Sequence, residues 1–538
     1  MATVSRTPST KKRVLIVNGY FDDSHRPIRR PRKLPQAMGP VYLAGAFSPA
    51  RCEIRLYNEV ASGPLEDERL LAWPDMLVLT GLTNAFDRML HLTAYARTKH
   101  PSVIVVAGGP SIRALPLLSQ RFFDYPCPGD IEQLREVIAD AFGPPFVAGE
   151  MLPRYDLAYW IRGIGHVEAS RYCNFHCSFC SLTGEGHRYQ SYPLDDIRRQ
   201  ILAMGKRKHL LFVDNNFYGS DRDMFVARVE LAKEMRQAGY FRDWAAIVTN
   251  DFFHKDENLE RVRDAGCVLL FSGVESFDAK WLRDVNKLQN TRVSPAELIT
   301  RCLNAGIMFC YGLMLDVMTR PIADLRRELD FIAGTPAITL PAFLTVPIPL
   351  LGTPFFRECL AKGAFLPETK LRDLDGTTLV MRPLDPLDEA VEFVRDMVSF
   401  RGYRRRALHH SLGFARRYWS RLDPLQIVMA WTNAALLCAD TVASAPPGLD
   451  WRTNGRRQRT HVTTTEPVDE VYTPAFRVAS RYERYFKPTM VTDEAGNVTS
   501  EIAEAASSVQ AGGRHWGEAV GFNMSEPSGF PLVARARA

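Results

Sequence analysis

Short apolar runs alternate with helix-patterned segments along most of this chain, and that alternation limits the fold more than any other feature. In the first 150 residues the runs are 14–18, 76–82 and 102–109, and 52–58 alternates apolar and polar residues. A helical segment is expected at 41–47. A second is expected at 131–142, where Leu134, Val137, Ile138 and Phe142 share one face. After a Gly/Pro-rich linker at 143–154 the series resumes at 164–170, 209–213, 244–249, 267–274, 307–315 and 337–347. Pro193 marks one intervening helix start, and Ser294 caps another that ends by Gly306.

Continuously apolar strands joined by helices predict parallel sheets covered on both faces. The fold class expected is α/β: a Rossmann-like unit over 1–145, then a partial (β/α)6 barrel over 150–370. Two more strand–helix units would close a full barrel, and the sequence does not supply them. From about residue 371 to 504 the pattern turns to helices, many of them Arg-rich, at 387–400, 403–420 and 425–445. The small-residue-rich stretch 505–538 reads as a poorly ordered tail. With 538 residues, 46% of them hydrophobic, the chain has ample material for several cores.

The basic N-terminus is followed by no apolar run, so no secretory signal is read there. The apolar stretch 425–445 contains Gln426, Asn433, Asp440 and Thr441, which suit a buried or interfacial helix better than a membrane span. Ten cysteines with no export signal indicate a reducing, cytoplasmic setting. Seven of the ten are scattered singly, but Cys173, Cys177 and Cys180 cluster just past the end of a strand run.

Three thiolates at spacings of four and three residues can grip three corners of a cuboidal iron–sulfur cluster and leave the fourth iron open. The alternative is a zinc site with His176 as fourth ligand, but His176 directly precedes Cys177, an awkward geometry for one metal.

The segment Cys173-Asn-Phe-His-Cys177-Ser-Phe179-Cys180, on a strand end and followed by barrel-like units, resembles the radical S-adenosylmethionine (SAM) superfamily motif. The resemblance implies a [4Fe–4S] cluster on the three cysteines and SAM on the open iron. SAM would be cleaved to a 5′-deoxyadenosyl radical, with Phe179 near the adenine. It also implies SAM contacts from Asp214, Asn215 and Asn216 after the second barrel strand. Glu275 and Ser276 would contribute from a Gly-x-Glu-Ser-like segment, and Gly312 from the fifth strand. Each of these except Glu275 also suits an ordinary strand-end turn or cap. A carboxylate ending a largely apolar strand, as Glu275 does, is harder to explain without function.

A Rossmann-like unit ahead of such a barrel resembles the cobalamin-binding subgroup of the superfamily. The segments 35–45, 74–81 and 105–110 carry this likeness, as do 344–354 and 375–377 farther on. Together the resemblance spans residues 14 to about 385. It implies cobalamin as a further cofactor and methylation of a small-molecule substrate at an unactivated carbon, with electrons from a reductant such as flavodoxin or ferredoxin. The signature that would supply an axial histidine is not intact: Ile28 stands where glycine belongs, which leaves His25 in a proline-rich loop. Two further readings stay open. One is a radical cyclisation, oxidation or rearrangement on the same architecture. The other is a non-catalytic Fe–S or zinc protein that binds a partner through basic C-terminal helices. Basic runs are more often solvated faces, and the first unit lacks the extra cysteine triplet of the tRNA methylthiotransferases, so nucleic acid is not expected.

Overall fold

The computed structural model describes residues 11–20, 37–376, 378–398, 401–438, 472 and 474–503. His25 and the 505–538 tail lie outside the described residues.

The first apolar runs become a five-stranded parallel sheet: β1 (Lys12–Asn18), β2 (Cys52–Asn58), β3 (Met76–Thr80), β4 (Ile104–Gly108) and β5 (Tyr125–Cys127). Their order is β2-β1-β3-β4-β5. Val14 to Val17 are fully buried, as a central strand sandwiched between helices must be. The chain steps outward from β1 to β2 and then returns to the other side of β1 with β3. That reversal opens a crevice at the carboxyl ends of β1 and β3, where open α/β sheets bind ligands.

The second series forms a six-stranded parallel sheet. Its strands are β6 (Ile164–Val167), β9 (His209–Phe212), β10 (Asp243–Val248), β11 (Cys267–Glu275), β12 (Met308–Met314) and β13 (Phe343–Thr345). The small antiparallel ribbon β7 (Ser170–Arg171) with β8 (Gln190–Ser191) follows β6. The order β13-β12-β11-β10-β9-β6 is that of a partial (β/α) barrel, as expected. The apolar run 337–347 yields only three strand residues, because Pro341 and Pro347 cannot donate to a ladder. Ser294 caps the helix Pro295–Asn304, its hydroxyl accepting the Glu297 amide at 3.2 Å.

The C-terminal helices Leu387–Val398, Arg404–Tyr418 and Pro424–Leu437 match the expected pattern, and no helix among the described residues is long and apolar enough to cross a membrane. The Gln426 amide donates to the carbonyls of Val268 and Gly306 at 2.8 and 3.0 Å, and the Tyr418 hydroxyl donates to Ala337. These bonds place the last two helices at the amino ends of β11 and β12, away from the cysteines. Tyr472 and residues 474–503 do not continue the helical pattern of those helices; they lie on the first unit and on the 366–369 segment. Tyr472 donates to Asp87 at 3.0 Å, and Phe486 stacks on His91 at 4.7 Å.

Candidate active site

Strand β6 delivers the chain to the cysteine loop, and the neighbouring strand ends fix where that loop starts. Asp214, fully buried at the end of β9, accepts the Ala169 amide at 3.1 and 3.3 Å and the Ser170 hydroxyl. Burial pushes its carboxyl up to about 7. Asn216 donates to the Asn174 side chain at 2.7 Å and accepts the Thr249 amide at 3.3 Å, which ties the loop to the end of β10. Asn215, between them, is exposed. In this structure Asp214 and Asn216 brace the loop that carries the cysteines.

Cys177 is buried, and Cys173 and Cys180 are half-buried. Burial pushes the Cys173 thiol up and that of Cys180 up to about 11, and each is raised further by the charge of Cys177. The three sulfurs thus share one electrostatic environment, and binding a cluster there must displace protons. His176 is exposed while its neighbour Cys177 is buried, so the two do not present a common ligand face. Among the described residues no three His, Cys, Asp or Glu side chains, the three cysteines included, form a group that could hold a metal ion. Three soft thiols gathered at one strand end suit a cluster, whose irons are spread over several corners.

One residue that the sequence did not single out stands at the centre of this site. Lys287 is buried, and its ammonium meets Glu275 Oε1 at 3.0 Å and lies 5.6 Å from the centre of the Phe179 ring. Burial opposes its charge, but Glu275 and the Cys177 and Cys180 thiols outweigh that and hold the ammonium above its ordinary pKa. Gln289, also buried, donates to Cys177 Sγ at 3.6 Å, and its carbonyl oxygen has no partner among the described residues. Phe179 stacks on Trp281, with ring centres 6.4 Å apart, and Trp281 donates to Asp316 at 2.8 Å. No motif announces Lys287 or Gln289. They follow a short helix whose apolar spacing reads only as core.

Glu275 is held in an unusual conformation, at φ +62°, where the β11–β12 register slips between Ser272 and Glu275. A non-glycine residue in the left-handed region costs energy that its surroundings must offset, and the bulge turns its carboxylate toward Lys287. Ser276, the next residue, is committed elsewhere: it bonds Glu328 at 2.8 Å and Arg320 at 3.0 Å. At Gly312 an added Cβ would stand 2.4 Å from the Phe343 ring, so packing alone accounts for glycine there.

The crevice of the first sheet is built differently. Gly19, Gly81 and Gly109 stand at the ends of β1, β3 and β4, and the Gly19 amide donates to Thr80 at 2.8 Å. Gly109 has φ +111°, and a Cβ there would fall 2.7 Å from the Gly81 carbonyl oxygen. The three glycines thus pack closely at the strand ends, and only peptide groups stand at the switch point.

Comparison with known proteins agrees with this arrangement. Residues 167–320 match the radical SAM superfamily model. The hopanoid C-2 methylase of Rhodopseudomonas palustris is 24% identical over 408 residues, covering 70% of this chain and 74% of the relative. An uncharacterized methyltransferase of Synechocystis sp. is 24% identical over 68% of this chain and 71% of its own length. Among solved structures, the cobalamin-dependent radical enzyme OxsB with aqua-cobalamin bound superposes with a TM-score of 0.52 at 14% identity, covering 80% of each chain. The methyltransferase TsrM from Kitasatospora setae, with tryptophan and a SAM analogue, gives 0.50 at 15% identity over 70% of this chain and 81% of its own. At such identities the structural likeness is one of fold. The cysteine loop, the parallel half-barrel behind it and the match over 167–320 together give this chain a radical SAM domain, the kind that works with a [4Fe–4S] cluster and SAM.

Proposed function

We propose that this enzyme is a cobalamin-dependent methyltransferase that transfers a methyl group to an unactivated carbon of a small molecule. The observation that carries the reading is the glycine-lined switch point of the first sheet, set ahead of the radical SAM domain in one chain. Relatives named as a methylase and a methyltransferase align with 70% and 68% of this chain, more than the radical SAM domain alone, which supports it. In this reading residues 1–145 form the cobalamin-binding unit, 150–370 the SAM-cleaving barrel and 371–504 an accessory region.

When bound, the cluster supplies an electron to split SAM, and cobalamin supplies a carrier for the methyl group. The chain's own residues do the rest by position. Cys173, Cys177 and Cys180 hold the cluster, and Gln289 donates a hydrogen bond to one of its thiolates. Glu275 and Lys287 present a paired carboxylate and ammonium to SAM, whose amino and carboxylate groups carry the opposite charges. Phe179 and Trp281 offer a flat apolar wall to the adenine. Asp214 and Asn216 keep the loop in place. A flavodoxin or ferredoxin is the reductant expected.

The test is anaerobic reconstitution with iron, sulfide and cobalamin, followed by product analysis. About one cobalamin per chain is expected, with S-adenosylhomocysteine and 5′-deoxyadenosine formed in equal amounts per methyl transferred. A reconstituted enzyme that binds no cobalamin and yields 5′-deoxyadenosine alone removes the methyltransferase reading and leaves a non-methylating radical enzyme.

A further inference from the structure

The two C-terminal helices expose more apolar surface than their packing requires. On Arg404–Tyr418, Leu408 and Leu412 are 61% and 56% exposed, and Trp419, just past its end, is 66% exposed. At 3.6 residues per turn these three fall on one stripe. On Pro424–Leu437, Val428 is 53% and Trp431 44% exposed. The Trp431 indole donates to the Ser411 carbonyl at 3.1 Å, so the two apolar stripes join into one face. Between the helices opens a cleft of about 410 Å³, lined among others by Phe414, Leu425 and Met429. A contiguous apolar surface of this kind marks an interaction site.

Charge narrows the choice of partner. Residues 404–437 contain six arginines and a single carboxylate, Asp423. By the same helical spacing Arg405 and Arg416 flank the Leu408–Leu412 stripe, and both are exposed. A second copy of this chain would bring the same arginines against one another. Nucleic acid would satisfy the arginines and leave leucine, valine and methionine in water. Exposed leucine and tryptophan bordered by arginine match the interface of a bilayer with anionic headgroups, where apolar side chains enter the acyl boundary and guanidinium groups meet phosphate.

We propose that the face formed by the helices Arg404–Tyr418 and Pro424–Leu437 docks this enzyme on the surface of anionic lipid membranes. The face lies at the amino ends of β11 and β12, so docking leaves the cysteine mouth at the opposite end of the half-barrel. This proposal does not depend on the methyltransferase reading. Its test is sedimentation of the full reconstituted chain with vesicles of phosphatidylcholine, with and without phosphatidylglycerol. The wild type should sediment with the phosphatidylglycerol vesicles and be released by added salt. Leu412→Asp with Val428→Asp should cut the bound fraction about tenfold or more, with an unchanged thermal melt, since both side chains are more than half exposed. Arg405→Glu with Arg416→Glu should weaken binding and abolish its salt sensitivity, a second measure should the aspartate pair fail to fold. The proposal is overturned if the wild type ignores both vesicle types, or if the aspartate pair binds as the wild type does. It is also overturned if sedimentation velocity shows a dimer that the aspartate pair dissociates, which would make the face a contact between copies.

Discussion

The two parallel sheets of this enzyme place their candidate sites at the same position, the carboxyl ends of their strands, and equip them in opposite ways. The first sheet clears its switch point: Gly19, Gly81 and Gly109 offer peptide groups and no side chains. The second crowds its mouth with three thiols, a buried ammonium–carboxylate pair and an unsatisfied amide carbonyl. In the cobalamin reading, a large cofactor held mainly by shape needs room, so its site would be made by leaving side chains out. A cluster and a zwitterion need specific donors and charges, so their site is made by burying polar groups at a cost. Damage to the two sites should therefore take different forms.

The largest effect is expected at the thiols. Cys177→Ala should remove the [4Fe–4S] absorption and EPR signals and all SAM cleavage, because no neighbouring group can replace a thiolate there. Cys267→Ala and Cys310→Ala, whose thiols lie within strands β11 and β12 of the barrel, should keep the cluster. A full cluster spectrum from Cys177→Ala would remove the ligand assignment. At the cleared site the lesion is an addition. Gly109→Val puts a branched side chain at φ +111° and against the Gly81 carbonyl, so cobalamin content should fall to near zero while iron content and SAM cleavage to 5′-deoxyadenosine persist. Loss of both cofactors together would mean that the crevice is a structural seam rather than a separate binding site.

This contrast also explains what could be read without coordinates. The cysteines are legible because ligand spacing is local, and both parallel sheets are legible because strands buried on two faces leave continuous apolar runs. The three-residue β5 escaped notice because Pro126 interrupts its pattern. Lys287 and Gln289 were invisible for a different reason: they act across the fold on residues about a hundred positions earlier, and nothing in their neighbours marks them. Ser276 and Gly312 show the reverse case, where a family-like position is occupied by ordinary packing duties. The location of the C-terminal helices at the far end of the barrel depends on side-chain bonds such as Gln426 to Val268, which no periodicity encodes.

Within the crowded site the next effect is graded. Glu275→Gln should leave the cluster intact and weaken SAM binding roughly tenfold or more, since a charge-assisted hydrogen bond contributes about 1.5–3 kcal/mol. Calorimetric titration of the reconstituted protein reads this directly, and unchanged affinity would assign Glu275 to holding Lys287 alone. Lys287→Met removes a buried positive charge beside the thiols, so the cluster should become harder to reduce, by on the order of tens of millivolts. An EPR-monitored potential equal to that of the wild type would place Lys287 outside the cluster's electrostatic reach.

The smallest effect concerns the brace beneath the loop. Burial raises the Asp214 carboxyl from 3.8 to about 7, so between those values the folded protein holds a proton that the unfolded chain has released. Stability from this group is therefore full below about pH 4 and declines as pH rises toward 7. Buried His166 works in the opposite sense. Its pKa is lowered from 6.5 to about 4, so the unfolded chain binds the extra proton and stability rises with pH across that range. The two slopes overlap between pH 4 and 6.5, and a wild-type profile alone cannot separate them. Asp214→Asn can: the amide still offers an oxygen to the Ala169 amide at 3.1 Å but has no proton to lose. The variant should therefore lose stability relative to the wild type mainly at low pH and recover it as pH approaches 7, leaving the rising His166 slope exposed. Denaturant unfolding at pH 5, 6 and 7.5 measures the difference. A difference that stays constant across those three values would mean that Asp214 is already ionised in the fold and braces the cysteine loop as a carboxylate.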